Sequence, residues 1–140
     1  MATDTEYTHT HSIVYIESEP NFIELVRLIL QRSFGDVEVL RARDLVTGLK
    51  LATNIQPDLI LLDDMVPRVD GLEVLRRLKG SSRLRRIPVV LTTTNAEFEY
   101  LRRCLELGAD DYVRVPFVAR DLVEKISRLL GWPIVRAHHR

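Results

Sequence analysis

No apolar run in this chain approaches the roughly 20 residues that a membrane-spanning helix requires. The first twelve residues, Met1 to Ser12, are polar and rich in Thr and His, without the apolar core of a signal peptide. Both absences predict a cytoplasmic protein with no membrane partner. Cysteine is nearly missing: Cys104 stands alone, which excludes an internal disulfide and a cysteine-based zinc site and fits a reducing compartment. An excess of one charge is lacking too. Twenty Lys and Arg offset twenty Asp and Glu, so no global pull toward nucleic acid or anionic membrane is expected. There is no internal repeat and no inter-domain linker. What remains suits one domain of 140 residues, 46% of them hydrophobic and able to form a core.

The apolar residues alternate between two periods. Ile13-Val14-Tyr15-Ile16 is a short continuous run, the form of a strand buried on both faces. Residues 21–33 follow a helical period, with Phe22, Val26, Ile29 and Leu30 on one side and Pro20 in the first turn. Gly35 and Asp36 interrupt the chain, residues 37–41 alternate as a strand, and residues 44–54 predict a second helix despite Gly48. Leu59-Ile60-Leu61-Leu62 is the most apolar strand and should be central; Asp63 and Asp64 end it. Asp70 can cap a helix over 71–79, and Pro88 precedes a fourth strand, Val89-Val90-Leu91. Thr94 and Glu97 have capping-box spacing, which predicts a helix from Asn95 to Leu107 ended by Gly108. Residues 111–115 predict a fifth strand, and 118–130 a fifth helix stopped by Gly131 and Pro133. The implied organisation is a tail over 1–12, one α/β domain over 13–132 and a tail over 133–140. Five strands alternating with five helices give a doubly wound parallel sheet covered on both faces. One order for such sheets is 2-1-3-4-5, with ligands at the carboxyl ends of the strands.

At that edge the polar residues after each strand converge. Glu17, Ser18 and Glu19 follow the first strand, Asp63 and Asp64 the third, Thr92, Thr93 and Thr94 the fourth, and Val115-Pro116 the fifth. Acids from two strands repel one another unless a cation joins them. Magnesium takes oxygen ligands and often needs only one or two carboxylates. A carboxylate beside such a metal can attack phosphorus, and a hydroxyl from the fourth strand can hydrogen-bond the resulting phosphoryl oxygen.

Residues 58–71, Asp-Leu-Ile-Leu-Leu-Asp-Asp-Met-Val-Pro-Arg-Val-Asp-Gly, resemble the phosphorylation segment of response-regulator receivers. So do Leu107-Gly108-Ala109-Asp110-Asp111-Tyr112 and Pro116-Phe117. The resemblance runs from Ile13 to Leu130. It is specific through the combination of Asp63 with Pro67 and Asp70-Gly71. It implies a flavodoxin-like fold with five strands in the order 2-1-3-4-5 and five helices. It implies that Asp63 accepts a phosphoryl group from a histidine kinase or phosphotransferase. Glu17 would hold Mg2+ as one of an acidic pair, with Asp63 and the backbone carbonyl of Met65 as further ligands. Thr93 would be the switch hydroxyl, favoured over Thr92 and Thr94 by its spacing from Pro88 and to Gly108. Tyr112 would be the aromatic that moves with it, and Val115-Pro116 a candidate cis peptide.

Two positions depart from the family pattern. Position 18 is Ser where the acidic pair would continue, and position 115 is Val where a lysine would precede Pro116. The first change weakens the expected magnesium site. The second removes the cation that would pair with acceptor and phosphate. Glu19 is a possible substitute ligand, while strand alternation points Arg114 away from the site. Ser18 has a second reading as the cap of the first helix. Asp64 is expected to face solvent or the loop.

Other features carry plainer readings. Arg76, Arg77, Lys79, Arg83, Arg85 and Arg86 read as a solvated basic surface, and His9, His11, His138 and His139 as polar ends. Cys104 reads as a small core residue, and Trp132 as packing the C-terminal end on the core. Arg102, Arg103, Glu106, Asp110, Asp111, Lys125 and Arg128 gather about the fourth helix, fifth strand and fifth helix. In receivers that face often forms dimers or docks partners.

The leading expectation is a non-enzymatic, single-domain receiver of a two-component phosphorelay, phosphorylated on Asp63 and signalling by docking to a protein partner. A phosphorylation-independent pseudo-receiver is the alternative, motivated by Ser18 and Val115. An aspartyl-nucleophile phosphatase is the remote one. Such enzymes place a second Asp two residues after the nucleophile, where this chain has Met65.

Overall fold

The computed structural model describes residues 11–66 and 70–135. The expectations for Pro67, for His9, His138 and His139, and for the rest of the tails lie outside those residues. The elements alternate along the chain: β1 (His11–Ile16), α1 (Pro20–Phe34), β2 (Val37–Ala42), α2 (Leu45–Ile55), β3 (Leu59–Asp63), α3 (Gly71–Gly80), β4 (Val89–Thr93), α4 (Phe98–Glu106), β5 (Asp111–Arg114) and α5 (Ala119–Leu130). The strands form one sheet in the order β2-β1-β3-β4-β5, every pair parallel. This is the expected flavodoxin-like topology, with the apolar β3 in the middle.

Strand alternation splits the core in two. Ile13, Tyr15, Leu59, Leu61, Val90 and Val113 pack on one face with α1 and α5. Val14, Ile16, Ile60, Leu62 and Leu91 pack on the other with α2, α3 and α4. Leu59 to Leu62 are wholly buried, which explains why β3 reads as an unbroken apolar run. Gly48 lets α2 lie close on β1: a Cβ there would sit 2.6 Å from Ile16 Cδ1.

Several boundaries differ from the sequence reading. β1 starts at His11, whose ring stacks on Trp132 at 3.9 Å. Trp132 in turn meets Phe34 edge-on and is buried. The expected C-terminal tail is docked at its start, where Val135 N–H donates to Ser33 O at 2.7 Å. The buried stripe of α1 is Ile23, Val26, Leu30 and Phe34, with Phe22 and Ile29 only partly covered. Glu19, not Ser18, caps that helix; its carboxylate accepts from Asn21 N–H at 3.3 Å.

The Thr94–Glu97 capping box does not form. Thr93 Oγ1 accepts from Asn95 N–H and Asn95 Oδ1 accepts from Glu97 N–H, both at 2.9 Å. These local bonds hold residues 93–97 in a turn that competes with helix, so α4 starts only at Phe98. Asp44 and Asp70 do cap α2 and α3, accepting from Thr47 N–H at 2.8 Å and Leu72 N–H at 3.0 Å.

Candidate functional site at the carboxyl edge of the sheet

Glu17 leaves the end of β1 almost completely buried, at 2% exposure. The phenol of Tyr15 donates to its Oε1 at 3.2 Å, and the N–H of Glu19 donates to its Oε2 at 3.0 Å. Arg41 on β2 fixes the backbone around it, donating to the carbonyls of Glu17 at 3.3 Å and Ser18 at 2.6 Å. Asp63 ends the neighbouring strand on the same face, beside Glu17. Burial first, then the charge of Glu17, push the Asp63 carboxyl up to about 7, while the N–H of Met65 hydrogen-bonds it and pulls the other way. Burial and Glu17 also hold the Tyr15 phenol above its ordinary value. Thr92, paired with Asp63 in the β3–β4 register, is buried, and its hydroxyl has no hydrogen-bond partner among the described residues.

The structure thus brings Glu17 and Asp63 together. Among the described residues no three His, Cys, Asp or Glu side chains form a metal-holding group. The donor set still suits Mg2+, a hard cation that keeps several waters and takes one or two carboxylates. The charge of Glu17, which pushes the Asp63 carboxyl up, marks the place where a cation relieves repulsion. The Met65 carbonyl would complete the protein's share. Glu19 has its carboxylate engaged at the start of α1.

Thr93, expected as the switch hydroxyl, ends β4 one residue beyond Thr92. Its hydroxyl donates to Asp64 Oδ2 at 2.6 Å. The phenol of Tyr100, on α4, donates to the same oxygen at 2.6 Å. Burial, then this bond to Asp64, holds the Tyr100 phenol above its ordinary value. Asp64 is therefore a half-buried hub and not a solvent-facing residue, because strand alternation turns it to the face opposite Asp63 and next to Thr93. Its N–H also donates to Thr92 O at 3.1 Å. Sequence reasoning missed Asp64, Tyr100, Tyr15 and Arg41. The parity of Asp63 and Thr92 could have revealed the Asp64–Thr93 pairing, but nothing in the sequence marks Tyr100.

Tyr112 lies half-buried on β5, with Lys125 Nζ 4.5 Å from its ring centroid and donating to its carbonyl at 2.6 Å. The Val115-Pro116 peptide is cis. Val115 lines an open cleft of about 390 Å³ with Arg114, Pro116, Val118 and Asp121, and Arg114 itself is exposed.

The remaining candidates have structural surroundings. Cys104 is buried, and burial pushes its thiol up. Arg76 and Arg77 pair with Glu73, while Lys79 bonds Asp110 at 3.2 Å and the carbonyls of Arg85 and Ile87. Arg83, Arg85 and Arg86 are exposed. Arg102 pairs with Glu99 and Glu106, and Lys125 with Asp111 and Asp121. No helix among the described residues is long and apolar enough to cross a membrane.

Known proteins share this fold. The family model of the response regulator receiver domain matches residues 13–127. The phosphate regulon transcriptional regulatory protein PhoB of Escherichia coli K12 is 39% identical over 119 residues, which cover 84% of this chain and 51% of PhoB. The DNA-binding dual master transcriptional regulator RpaA of Synechocystis is 36% identical over 118 residues, covering 84% of this chain and 48% of RpaA. The chain thus spans about half the length of these relatives. Among solved structures, the receiver domain of the sensor histidine kinase PA1611 from Pseudomonas aeruginosa, with magnesium coordinated in its active-site cleft, superposes with a TM-score of 0.75. It is 26% identical and covers 86% of this chain and 98% of that one. The chain belongs to the response-regulator receiver family and is a homologue of phosphoacceptor response regulators.

Proposed function

We propose that Asp63 is the phosphoacceptor of this receiver and that phosphorylation there controls docking to a protein partner. The observation that carries this reading is the Asp63 carboxyl at the carboxyl end of the central strand, beside the buried Glu17. In the transfer a carboxylate oxygen of Asp63 forms the new O–P bond. The P–N bond of a donor phosphohistidine breaks, and the leaving imidazole nitrogen takes up a proton. A bound Mg2+ would neutralise charge on the phosphoryl oxygens. Glu17, Asp63 and the Met65 carbonyl would hold it, in a site weakened by Ser18. Tyr15 and the Glu19 N–H orient Glu17 for that role, and the Met65 N–H favours ionised Asp63.

The donor would be a histidine kinase or phosphotransferase. The downstream partner would meet α4, β5 and α5, where Phe98, Leu105 and Val118 are exposed apolar residues; a homodimer through the same face is one form of that contact. Neither nucleic acid nor membrane is a direct partner in this reading, the setting is cytoplasmic, and the domain itself turns over no substrate. The test is magnesium-dependent beryllofluoride binding followed by amide NMR. Binding to the wild type that is lost in Asp63→Asn supports the reading.

A phosphorylation-independent interaction module is the second reading, favoured by Ser18, Val115 and the engagement of Thr93 by Asp64. Partner binding unchanged by Asp63→Asn, with no beryllofluoride uptake by the wild type, would establish it.

A further inference from the structure

We infer that Asp64 is a positioning residue that holds the Thr93 hydroxyl away from the acceptor in the unmodified protein, through a carboxylate it shares with Tyr100. The inference rests on the reading of Asp63 as acceptor and of Thr93 as the hydroxyl that must reach the phosphoryl group.

The geometry is specific. A threonine hydroxyl has one proton to donate. Here it goes to Asp64 Oδ2 at 2.6 Å, in preference to the Asn95 carbonyl at 3.4 Å. Tyr100 donates to the same oxygen at 2.6 Å. Both distances lie at the short end of the range for O–H···O hydrogen bonds. The other carboxylate oxygen, Oδ1, is buried and has no partner among the described residues. Within that set the hydrogen bonds of the Asp64 carboxylate come from these two hydroxyls, both on Oδ2, and if either leaves, that oxygen keeps only the other. Gly71 makes room for the arrangement: a Cβ there would stand 3.0 Å from Asp64 Cβ and 3.5 Å from the Tyr100 oxygen.

Three segments meet at this one oxygen. Asp64 follows β3 directly after the acceptor, Thr93 ends β4, and Tyr100 lies in the first turn of α4. A phosphoryl group on Asp63 would compete with Asp64 for the Thr93 proton. Its capture would leave Tyr100 as the hydroxyl on Asp64 and alter the tie between the β4–α4 turn and the site. The lysine that would add a charged contact on the other side is replaced by Val115. Competition for a single hydroxyl is then the route by which the modification reaches α4.

The test is a double-mutant cycle on beryllofluoride affinity, with Mg2+ fixed, using Asp64→Ala, Thr93→Ala and the pair. Removing the Asp64 charge aids anion binding in any background, so the cycle isolates the part that needs Thr93. The expected result is about a tenfold gain from Asp64→Ala with Thr93 present and about twofold or less with Thr93→Ala. Equal gains in both backgrounds would overturn the inference. Tyr100→Phe, which leaves the charge in place, is the second variant. In the unmodified protein, hydrogen exchange at residues 94–97 should quicken about threefold or more in Tyr100→Phe and Asp64→Ala. Unchanged exchange in both would also overturn it. Absence of beryllofluoride uptake in every variant counts against Asp63 as acceptor, and the exchange measurement still decides whether Asp64 restrains this turn.

Discussion

Asp63 and Asp64 are consecutive, yet they belong to separate networks on opposite faces of the sheet. Asp63 lies with Glu17 on the α1 and α5 side, while Asp64 binds the hydroxyls of Thr93 and Tyr100 on the α4 side. One carboxylate lies beside another acid, and its neighbour accepts hydrogen bonds from two hydroxyls.

The raised proton affinity of Asp63 has a consequence for stability. Its folded value of about 7 lies above the ordinary carboxylate value. The stabilisation from protonated Asp63 is complete below the unfolded value and is lost as pH rises through about 7. In metal-free buffer Asp63→Asn should therefore be more stable than the wild type at pH 8, by about 1 kcal/mol because solvent screens a half-exposed group. The difference should shrink toward pH 5. Urea unfolding at the two pH values checks this.

The fold was legible because buried parallel strands announce themselves. Ile13 to Ile16 and Leu59 to Leu62 are continuous apolar runs separated by helical periods, which leaves few topologies. The acid pair was legible for the same reason, since Glu17 and Asp63 follow those runs. Less visible were side chains whose partners lie far off in sequence. Tyr15 reads as core yet donates to Glu17. Thr94 and Glu97 have a helix-start spacing, but the side chains of Thr93 and Asn95 take the backbone N–H groups of that turn. Tyr100 looks like any aromatic on a helix until α4 is set against β4.

Glu17→Gln should lower the midpoint of Asp63 titration below about 7, because it removes the largest cause after burial. Carbon NMR of the Asp63 carboxyl reads this directly. The same variant should bind Mg2+ about tenfold more weakly or worse, since even part of the ~4 kcal/mol between close charges exceeds that factor. Titration calorimetry measures the loss.

Restoring the missing charges should strengthen the site. Val115→Lys faces an open cleft with room for a longer side chain, and a cation there should raise beryllofluoride affinity about tenfold. Ser18→Asp should raise Mg2+ affinity by a similar factor. Unchanged affinities would show that neither position addresses the Asp63 pocket.

Gly48→Ala should destabilise the fold by ~1 kcal/mol despite the better helix propensity of alanine, because the new methyl meets Ile16, a fully buried core residue. Thermal unfolding should show a lower midpoint, with Asp63 chemistry unaffected.

The most direct measurement is incubation with Mg2+ and acetyl phosphate, followed by borohydride trapping and tandem mass spectrometry. Modification of Asp63 that disappears in Asp63→Asn and needs magnesium is the predicted result. An unmodified wild-type protein, or label on another residue in its place, would contradict the assignment of Asp63 as the phosphoacceptor.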